Sequence, residues 1–302
     1  MKTFEQIAGL GVAVATPFIS SVGGTPELDL PGFRRLVRHI RDGAADFLVA
    51  LGSTGEAATL TPEERDAVIR AAREECGSML LVVGTGTNAT ASSVDFSLRA
   101  AALGADAFLV VVPYYNKPQP SGIEAHFRAV ADAAPELPIV AYNVPGRTGI
   151  NLTPRDLARL WTIPQVVAVK ESSGNLAQIG EIARTLPEGK TLLSGDDALA
   201  LPAIAVGARG LVSVIGNVLP AETKALVDAA MAGRMDEARR LHYRLLPLMD
   251  ALFLETNPAP LKAALELAGI ASGAVRLPLV AAGETTRARL AELLAPFGVG
   301  KR

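Results

Sequence analysis

Cysteine is almost missing from this sequence. Cys76 is the only one in 302 residues, so no disulfide can form within the chain, and a reducing compartment fits it. An excess of one charge is missing too. The 29 Lys and Arg stand against 31 Asp and Glu, and the arginines are scattered among acids without forming a basic stripe, which excludes a general polyanion binder. Long apolar runs are also lacking: charge, Gly or Pro interrupts each one well before the ~20 residues of a membrane span. Residues 7–19 faintly resemble the core of a signal peptide. Glu5 interrupts its basic start and no small-residue cleavage pattern follows, so the segment reads as a first buried strand. The expected location is the cytoplasm. No low-complexity segment occurs.

What is present is a hydrophobic share of 49% with 20% charged residues, the balance of a well-packed soluble protein. Its organising pattern is alternation. Short β-rich apolar runs at 12–16, 46–51, 80–84, 107–115, 138–144, 166–171, 191–195 and 210–215 are near-continuously hydrophobic, as parallel strands buried on both faces should be. Amphipathic helical stretches lie between them with explicit start signals. Thr61-Pro62-Glu63-Glu64 and Thr153-Pro154-Arg155-Asp156 each supply a capping Thr, a Pro at the first helical position and an acid at the third. About eight βα units in the first ~230 residues predict an α/β fold, a (β/α)8 TIM barrel over 1–233 with a C-terminal helical extension over 234–302. A doubly wound sheet is the alternative, because alternation does not by itself distinguish closure from an open sheet. The extension has breaks near Asn257-Pro258 and Gly283-Glu284. Such helical appendages commonly form interfaces, so an oligomer is expected.

In a barrel of this kind chemistry gathers at the C-terminal ends of the strands. The second strand ends in Gly52-Ser53-Thr54-Gly55-Glu56, where glycines free the backbone and hydroxyls and amides converge as a seat for a carboxylate. An ordinary capped glycine turn is the alternative. Three of the four tyrosines, Tyr114, Tyr115 and Tyr142, fall at predicted strand ends, where a phenol can relay a proton, and only Tyr243 does not. Arg147 follows a Pro-Gly turn, where its fork of donors could grip a carboxylate, a surface ion pair being the plainer reading. Of the seven lysines, only Lys170 ends a continuous run, Val166-Val167-Ala168-Val169, that can aim it into the barrel mouth. Burying an ammonium is costly, so a lysine there either finds a carboxylate such as Glu171 or serves uncharged as a nucleophile towards a ketone.

Two other signals are weaker. Gly84-Thr85-Gly86-Thr87-Asn88-Ala89 mimics a dinucleotide fingerprint, but Asp106, the acid about twenty residues on, precedes the next strand instead of ending it. His39, His126 and His242 lie in predicted helices away from strand ends, and no metal site is expected. Asp196-Asp197 reads as a cap for the helix that follows.

Taken in order, Gly52-Ser53-Thr54-Gly55-Glu56, Pro113-Tyr114-Tyr115-Asn116, the stretch from Tyr142 to Gly149, Val169-Lys170-Glu171-Ser172-Ser173-Gly174-Asn175 and Ser194-Gly195-Asp196-Asp197 resemble the 4-hydroxy-tetrahydrodipicolinate synthase (dihydrodipicolinate synthase) family, within the superfamily that includes N-acetylneuraminate lyase. The likeness runs from Thr16-Pro17-Phe18 to Asn257-Pro258. It implies that Lys170 forms an imine with pyruvate and that Tyr142 shuttles protons at the imine carbon. Ser53 and Tyr115 would complete the hydroxyl relay, Tyr115 being lent across a dimer interface. Thr54 would hold the pyruvate carboxylate, Val212 and Gly195 would contact substrate, and Arg147 would recognise the carboxylate of L-aspartate 4-semialdehyde. No metal or organic cofactor is implied, and neither nucleic acid nor membrane is an expected partner. The implied assembly is a homotetramer, a dimer of dimers.

This sequence also departs from the family pattern. Ser53 replaces the more usual Thr, as in neuraminate lyases, whereas Gly146-Arg147-Thr148-Gly149 points back to the synthases. Where lysine-inhibited relatives carry Ser, two His and Glu in an allosteric pocket, this chain has Ala57, Pro62, Arg65 and Ser92, with Asn88 and Tyr114 retained. Weak or absent lysine feedback is the expectation. The alternatives are an aldolase for a sugar-derived 2-keto acid (N-acetylneuraminate lyase-like or 2-keto-3-deoxy-gluconate aldolase-like), a nicotinamide oxidoreductase and a non-catalytic barrel.

Overall fold

The computed structural model describes residues 7–19 and 24–298. Glu5, Lys2 and Lys301, with the outer ends of both predicted segments, lie outside the described residues. Eight parallel strands form a closed barrel in sequence order: β1 (Gly9–Ala13), β2 (Phe47–Ala50), β3 (Leu80–Gly84), β4 (Ala107–Val111), β5 (Ile139–Asn143), β6 (Val166–Glu171), β7 (Thr191–Ser194) and β8 (Gly210–Ser213). Closure is made where β1 pairs with β8 through Gly9–Gly210 to Val12–Ser213, and with β2 through Gly11–Phe47 to Ala13–Val49. This settles the choice between barrel and open sheet.

The continuous hydrophobicity of the strands has a direct cause, because both faces are buried. In β2, Leu48 and Ala50 pack outward under the helices, while Phe47 and Val49 pack into the barrel interior with Val82, Leu109, Val140 and Leu193. Several predicted strands end earlier than expected, and two do so by a wide margin. The first occupies Gly9–Ala13 instead of 12–16, because from Ala15 onward its backbone bonds to a side chain: the Ala15 amide donates to Asn217 Oδ1 at 3.0 Å. The fourth ends at Val111 instead of 115. Pro113 has no N–H to continue a ladder, and Tyr115 takes φ 72° in the turn beyond. A two-residue ribbon, Phe18–Ile19 against Glu27–Leu28, gave no sequence signal.

The helices obey their start signals. Both α2 (Pro62–Glu75), the successor of α1 (Leu30–Asp42), and α5 (Pro154–Leu160) open on complete capping boxes, Thr61 with Glu64 and Thr153 with Asp156. Between them run α3 (Thr90–Ala102) and α4 (Pro120–Ala133), and α6 (Leu176–Thr185), α7 (Ala200–Ala205) and α8 (Pro220–Met231) complete the ring. Three more helices follow, α9 (Met235–Ala251), α10 (Ala259–Leu267) and α11 (Glu284–Leu294), with breaks where Asn257-Pro258 and Gly283 predicted them. Among the described residues no helix is long and apolar enough to cross a membrane.

The glycines of the dinucleotide look-alike serve packing. A Cβ on Gly84 would lie 2.1 Å from the Leu51 carbonyl oxygen, and one on Gly86 would lie 2.4 Å from the Val111 nitrogen. They let neighbouring backbones approach each other, not a pyrophosphate.

His126 adds an acid sensitivity. On α4 it faces inward with Ile123, Phe127 and Val130, bonds Thr90 through Nδ1 at 3.0 Å, and leaves Nε2 buried without a partner. Burial holds its pKa down to about 4, against 6.5 when unfolded. Below pH 6.5 the unfolded chain therefore takes up this proton more readily than the folded one, and the stability is lost as pH falls towards 4. Denaturant unfolding at pH 7 and pH 5 should show the parent losing about 2 kcal/mol more than His126→Gln between the two. Equal losses would mean that His126 is not the group responsible.

Candidate active site

The alternation of a strand alone would aim Lys170 the wrong way. Val166 faces the helices, so strict period-two alternation would send Lys170 outward as well. The register between β5 and β6 shifts after the first pair: Ile139 faces Val166 and Val140 faces Ala168, which leaves Val167 as a bulge. Val167 and Ala168 both pack into the interior, Val169 returns to the outer core, and Lys170 turns inward. Lys170 is then the register partner of Tyr142 on β5, and its Nζ lies 4.1 Å from the centroid of the Tyr142 ring.

Lys170 is 6% exposed, and among the described residues no carboxylate stands within ion-pair distance of it. Glu171 is committed elsewhere. It accepts from Asn143 Nδ2 at 2.8 Å and from the Ser173 amide at 2.7 Å, which removes the simple ion-pair explanation of the lysine. Burial alone would push the Tyr142 phenol up. The Lys170 ammonium and the Arg147 guanidinium outweigh it, with smaller contributions from the nearby Ser172 hydroxyl and from Lys170 bonding, and hold the phenol below its ordinary value. A phenol so placed takes and returns a proton beside the lysine with little penalty. Ser172 Oγ is itself buried without a partner of normal hydrogen-bond geometry.

These groups border a cavity of about 350 Å³ whose lining includes Ser53, Thr54, Tyr142, Arg147, Lys170 and Gly195. After β2 the chain makes a 3-10 turn over Ser53–Gly55, which brings Ser53 and Thr54 to the cavity wall. Arg147 sits in a helical turn, Pro145–Thr148, and donates through Nη2 to the Asn257 carbonyl at 3.1 Å. That contact, not a surface ion pair, is its bond within the chain.

Gly195 has a steric reason to lack a side chain. A Cβ there would lie 2.0 Å from Ser172 Oγ and 2.7 Å from Lys170 Cε. Gly195→Ala must therefore displace the lysine, and a displacement near 1 Å is expected to lower kcat about 100-fold while the circular dichroism stays that of the parent. Unchanged kcat would show that Lys170 has room to move.

Other sequence-predicted residues fall less directly on the cavity. Val212 is buried inside the barrel opposite Gly11 and does not line the cavity, which Val214 does. Tyr115 is 87% exposed and is not among the residues lining the cavity. Asp197 does not cap α7, which has no side-chain cap. It accepts from Ser213 Oγ at 2.6 Å and from the Val214 and Ile215 amides at 2.9 and 3.0 Å, tying down the end of β8. An Asp beside a helix start suggests a cap, but the amides just beyond β8 take this carboxylate. Asn257, Met249 and Phe253 also line the cavity. In the sequence Asn257 reads only as the residue before a proline, a punctuation signal that hides a polar side chain.

Fold and cavity together define a (β/α)8 barrel whose centre is a strand-end lysine backed by a tyrosine. The model of the dihydrodipicolinate synthetase family matches residues 6–296. A 4-hydroxy-tetrahydrodipicolinate synthase of Syntrophus aciditrophicus is 43% identical over 292 residues, covering 96% of this chain and 98% of that one. The solved dihydrodipicolinate synthase of Aquifex aeolicus is 39% identical with a TM-score of 0.93, over 98% of this chain and 100% of its own. A chloride-inhibited dihydrodipicolinate synthase of Acinetobacter baumannii, solved in complex with pyruvate, is 35% identical with a TM-score of 0.93, over 97% and 99%. The chain belongs to the dihydrodipicolinate synthetase family.

Proposed function

We propose that this protein is a Schiff-base lyase that condenses pyruvate with L-aspartate 4-semialdehyde to 4-hydroxy-tetrahydrodipicolinate, a step towards diaminopimelate and lysine. The observation that carries the reading is the buried Lys170, with no carboxylate within ion-pair distance among the described residues and paired in register with Tyr142. Its amine adds to the keto carbon of pyruvate and water leaves, giving an iminium that acts as an electron sink. Loss of a C3 proton gives an enamine, whose carbon bonds to the aldehyde carbon of the second substrate. The amino group of that substrate then displaces Lys170 as the ring closes. Tyr142 is the group beside the lysine able to move the protons. The Thr54 hydroxyl suits the pyruvate carboxylate, and Arg147 suits the carboxylate of the semialdehyde. Each step is supplied by substrate and side chains, without metal or organic cofactor. An aldolase for a sugar-derived keto acid would share the lysine, but Arg147 and the relatives' shared name favour the semialdehyde.

The exposed Tyr115 supports a relay completed across a dimer within a homotetramer. A cytoplasmic setting suits the single free thiol, Cys76. Ala57, Arg65, Asn88, Ser92 and Tyr114 line a second cavity of about 540 Å³, with no carboxylate at the position where lysine-inhibited relatives use one. Lysine at submillimolar concentration should leave the steady-state rate within about twofold, a small effect in free energy; strong inhibition would overturn that expectation.

The test of the function is chemical. Pyruvate followed by borohydride should leave a permanent adduct that mass spectrometry places on Lys170, and coupled assays should show turnover with aspartate semialdehyde and not with sugar-derived aldehydes. No adduct, or an adduct elsewhere, would sink the assignment.

A further inference from the structure

Between α9 and α10 the chain passes over the mouth of the barrel, and one residue there touches both predicted carboxylate seats. Asn257 is 4% exposed and borders both cavities. Its Nδ2 donates to Thr54 Oγ1 at 3.0 Å, and its backbone carbonyl accepts from Arg147 Nη2 at 3.1 Å. Its Oδ1 is buried with no hydrogen-bond partner.

The direction of the first bond matters. A threonine hydroxyl has one hydrogen to give and two lone pairs to receive. With Nδ2 donating to Thr54 Oγ1, one lone pair is occupied and the Thr54 hydrogen cannot point at Asn257. It is left to point into the cavity, where a keto-acid carboxylate accepts hydrogen and repels lone pairs. Were an acceptor to stand in place of Nδ2, the Thr54 hydrogen would turn away and present lone pairs to the incoming carboxylate. The local frame keeps this arrangement in register: Glu56, two residues after Thr54, is ion-paired with Lys262 of α10, five residues after Asn257.

We infer that Asn257 is a positioning residue that presets the Thr54 hydroxyl as a donor to the keto-acid carboxylate while its backbone carbonyl steadies Arg147. The inference rests on the functional reading above and adds a residue and a direction to it. Asn257 does not touch the reacting atoms. Its effect passes through Thr54, so it falls on pyruvate binding more than on the chemical step.

A double-mutant cycle with Asn257→Ala and Thr54→Val tests this, read as KM for each substrate and kcat. Loss of a hydrogen bond to a charged group predicts a pyruvate KM raised about tenfold or more in either single variant. In the Thr54→Val background, Asn257→Ala should add less than about twofold. The semialdehyde KM and kcat should each stay within about threefold, because the backbone carbonyl that holds Arg147 survives the substitution. The near-isosteric Asn257→Asp covers a failure of the alanine variant to fold. A carboxylate there can only accept, so the pyruvate KM must rise at least as far as in the alanine variant. Restoration of the parent KM by Asp would reduce Asn257 to a filler of space and overturn the inference. Additive effects in the cycle, or a loss confined to kcat, would do the same. A parent protein that forms no borohydride adduct with pyruvate would sink the functional reading and this inference together. An adduct with an unmoved pyruvate KM would sink the inference alone.

Discussion

Lys170→Ala is expected to lower kcat by at least about 1,000-fold, because it removes the amine that, in the proposed mechanism, holds the keto acid covalently. Lys170→Arg should fail equally. A guanidinium keeps the positive charge but is not deprotonated in proteins, so it cannot form the imine. The arginine variant thus separates a covalent role from an electrostatic one: if charge were the contribution of Lys170, arginine would retain much of the activity. Neither variant should gain the pyruvate-dependent mass on borohydride reduction. Stability should move the other way. Lys170 is buried with no carboxylate within ion-pair distance among the described residues, so alanine removes a buried polar group without orphaning an anion. The alanine variant should therefore melt at the parent temperature or above it, as happens where a functional group is kept at the expense of stability. Turnover within about tenfold of the parent in either variant, a small loss for removal of a covalent step, would end the imine mechanism.

Much of this arrangement is legible in the sequence because it rests on local chemistry. Runs such as Leu80–Gly84 and Val166–Glu171 fall where the apolar pattern predicts them, since parallel strands buried on both faces are near-continuously apolar. The capping boxes at Thr61 and Thr153 are likewise fixed by residues three apart. What the sequence hides are choices made between distant segments. Val166-Val167-Ala168-Val169 is apolar throughout, so nothing in it marks Val167 as the bulge that turns Lys170 inward; that is decided by pairing with Ile139 and Val140. Asp197 has the look of a helix cap, and only the pairing of β7 with β8 brings the Val214 and Ile215 amides to it. Asn257 and Thr54 are 203 positions apart, and no local pattern relates them. The residue types of the site can thus be read locally, whereas their orientation belongs to the barrel.

The second large effect concerns the ion pair that joins the barrel mouth to the C-terminal helices. Lys262 is 0% exposed and Glu56 is 4% exposed. Besides Glu56, the ammonium donates to the Ala274 carbonyl at 2.9 Å and lies 4.0 Å from the centroid of the Phe18 ring. Glu56 in turn accepts from the Arg276 amide at 3.0 Å, and Arg276 forks onto Glu64, the acid of the α2 capping box, at 2.7 and 2.6 Å. Burial pulls the Lys262 ammonium down to about 8 even though Glu56 opposes the shift. Desolvation of this size makes the pair weak evidence for net stability, yet removing one partner leaves the other buried without its counter-charge. Lys262→Met and Glu56→Gln should each destabilise the fold by about 3–5 kcal/mol in denaturant unfolding. The double variant should recover a large part of that loss, because no uncompensated charge remains. The functional consequence separates this pair from an ordinary core defect. Glu56 holds an αL backbone, φ 49°, at the end of the turn that carries Ser53 and Thr54, so loosening it moves the keto-acid seat. Pyruvate KM should rise in both single variants at temperatures where each is still folded, and the semialdehyde KM should move less. A double variant as unstable as either single one would show that Glu56 and Lys262 are held by the surrounding packing and not by each other.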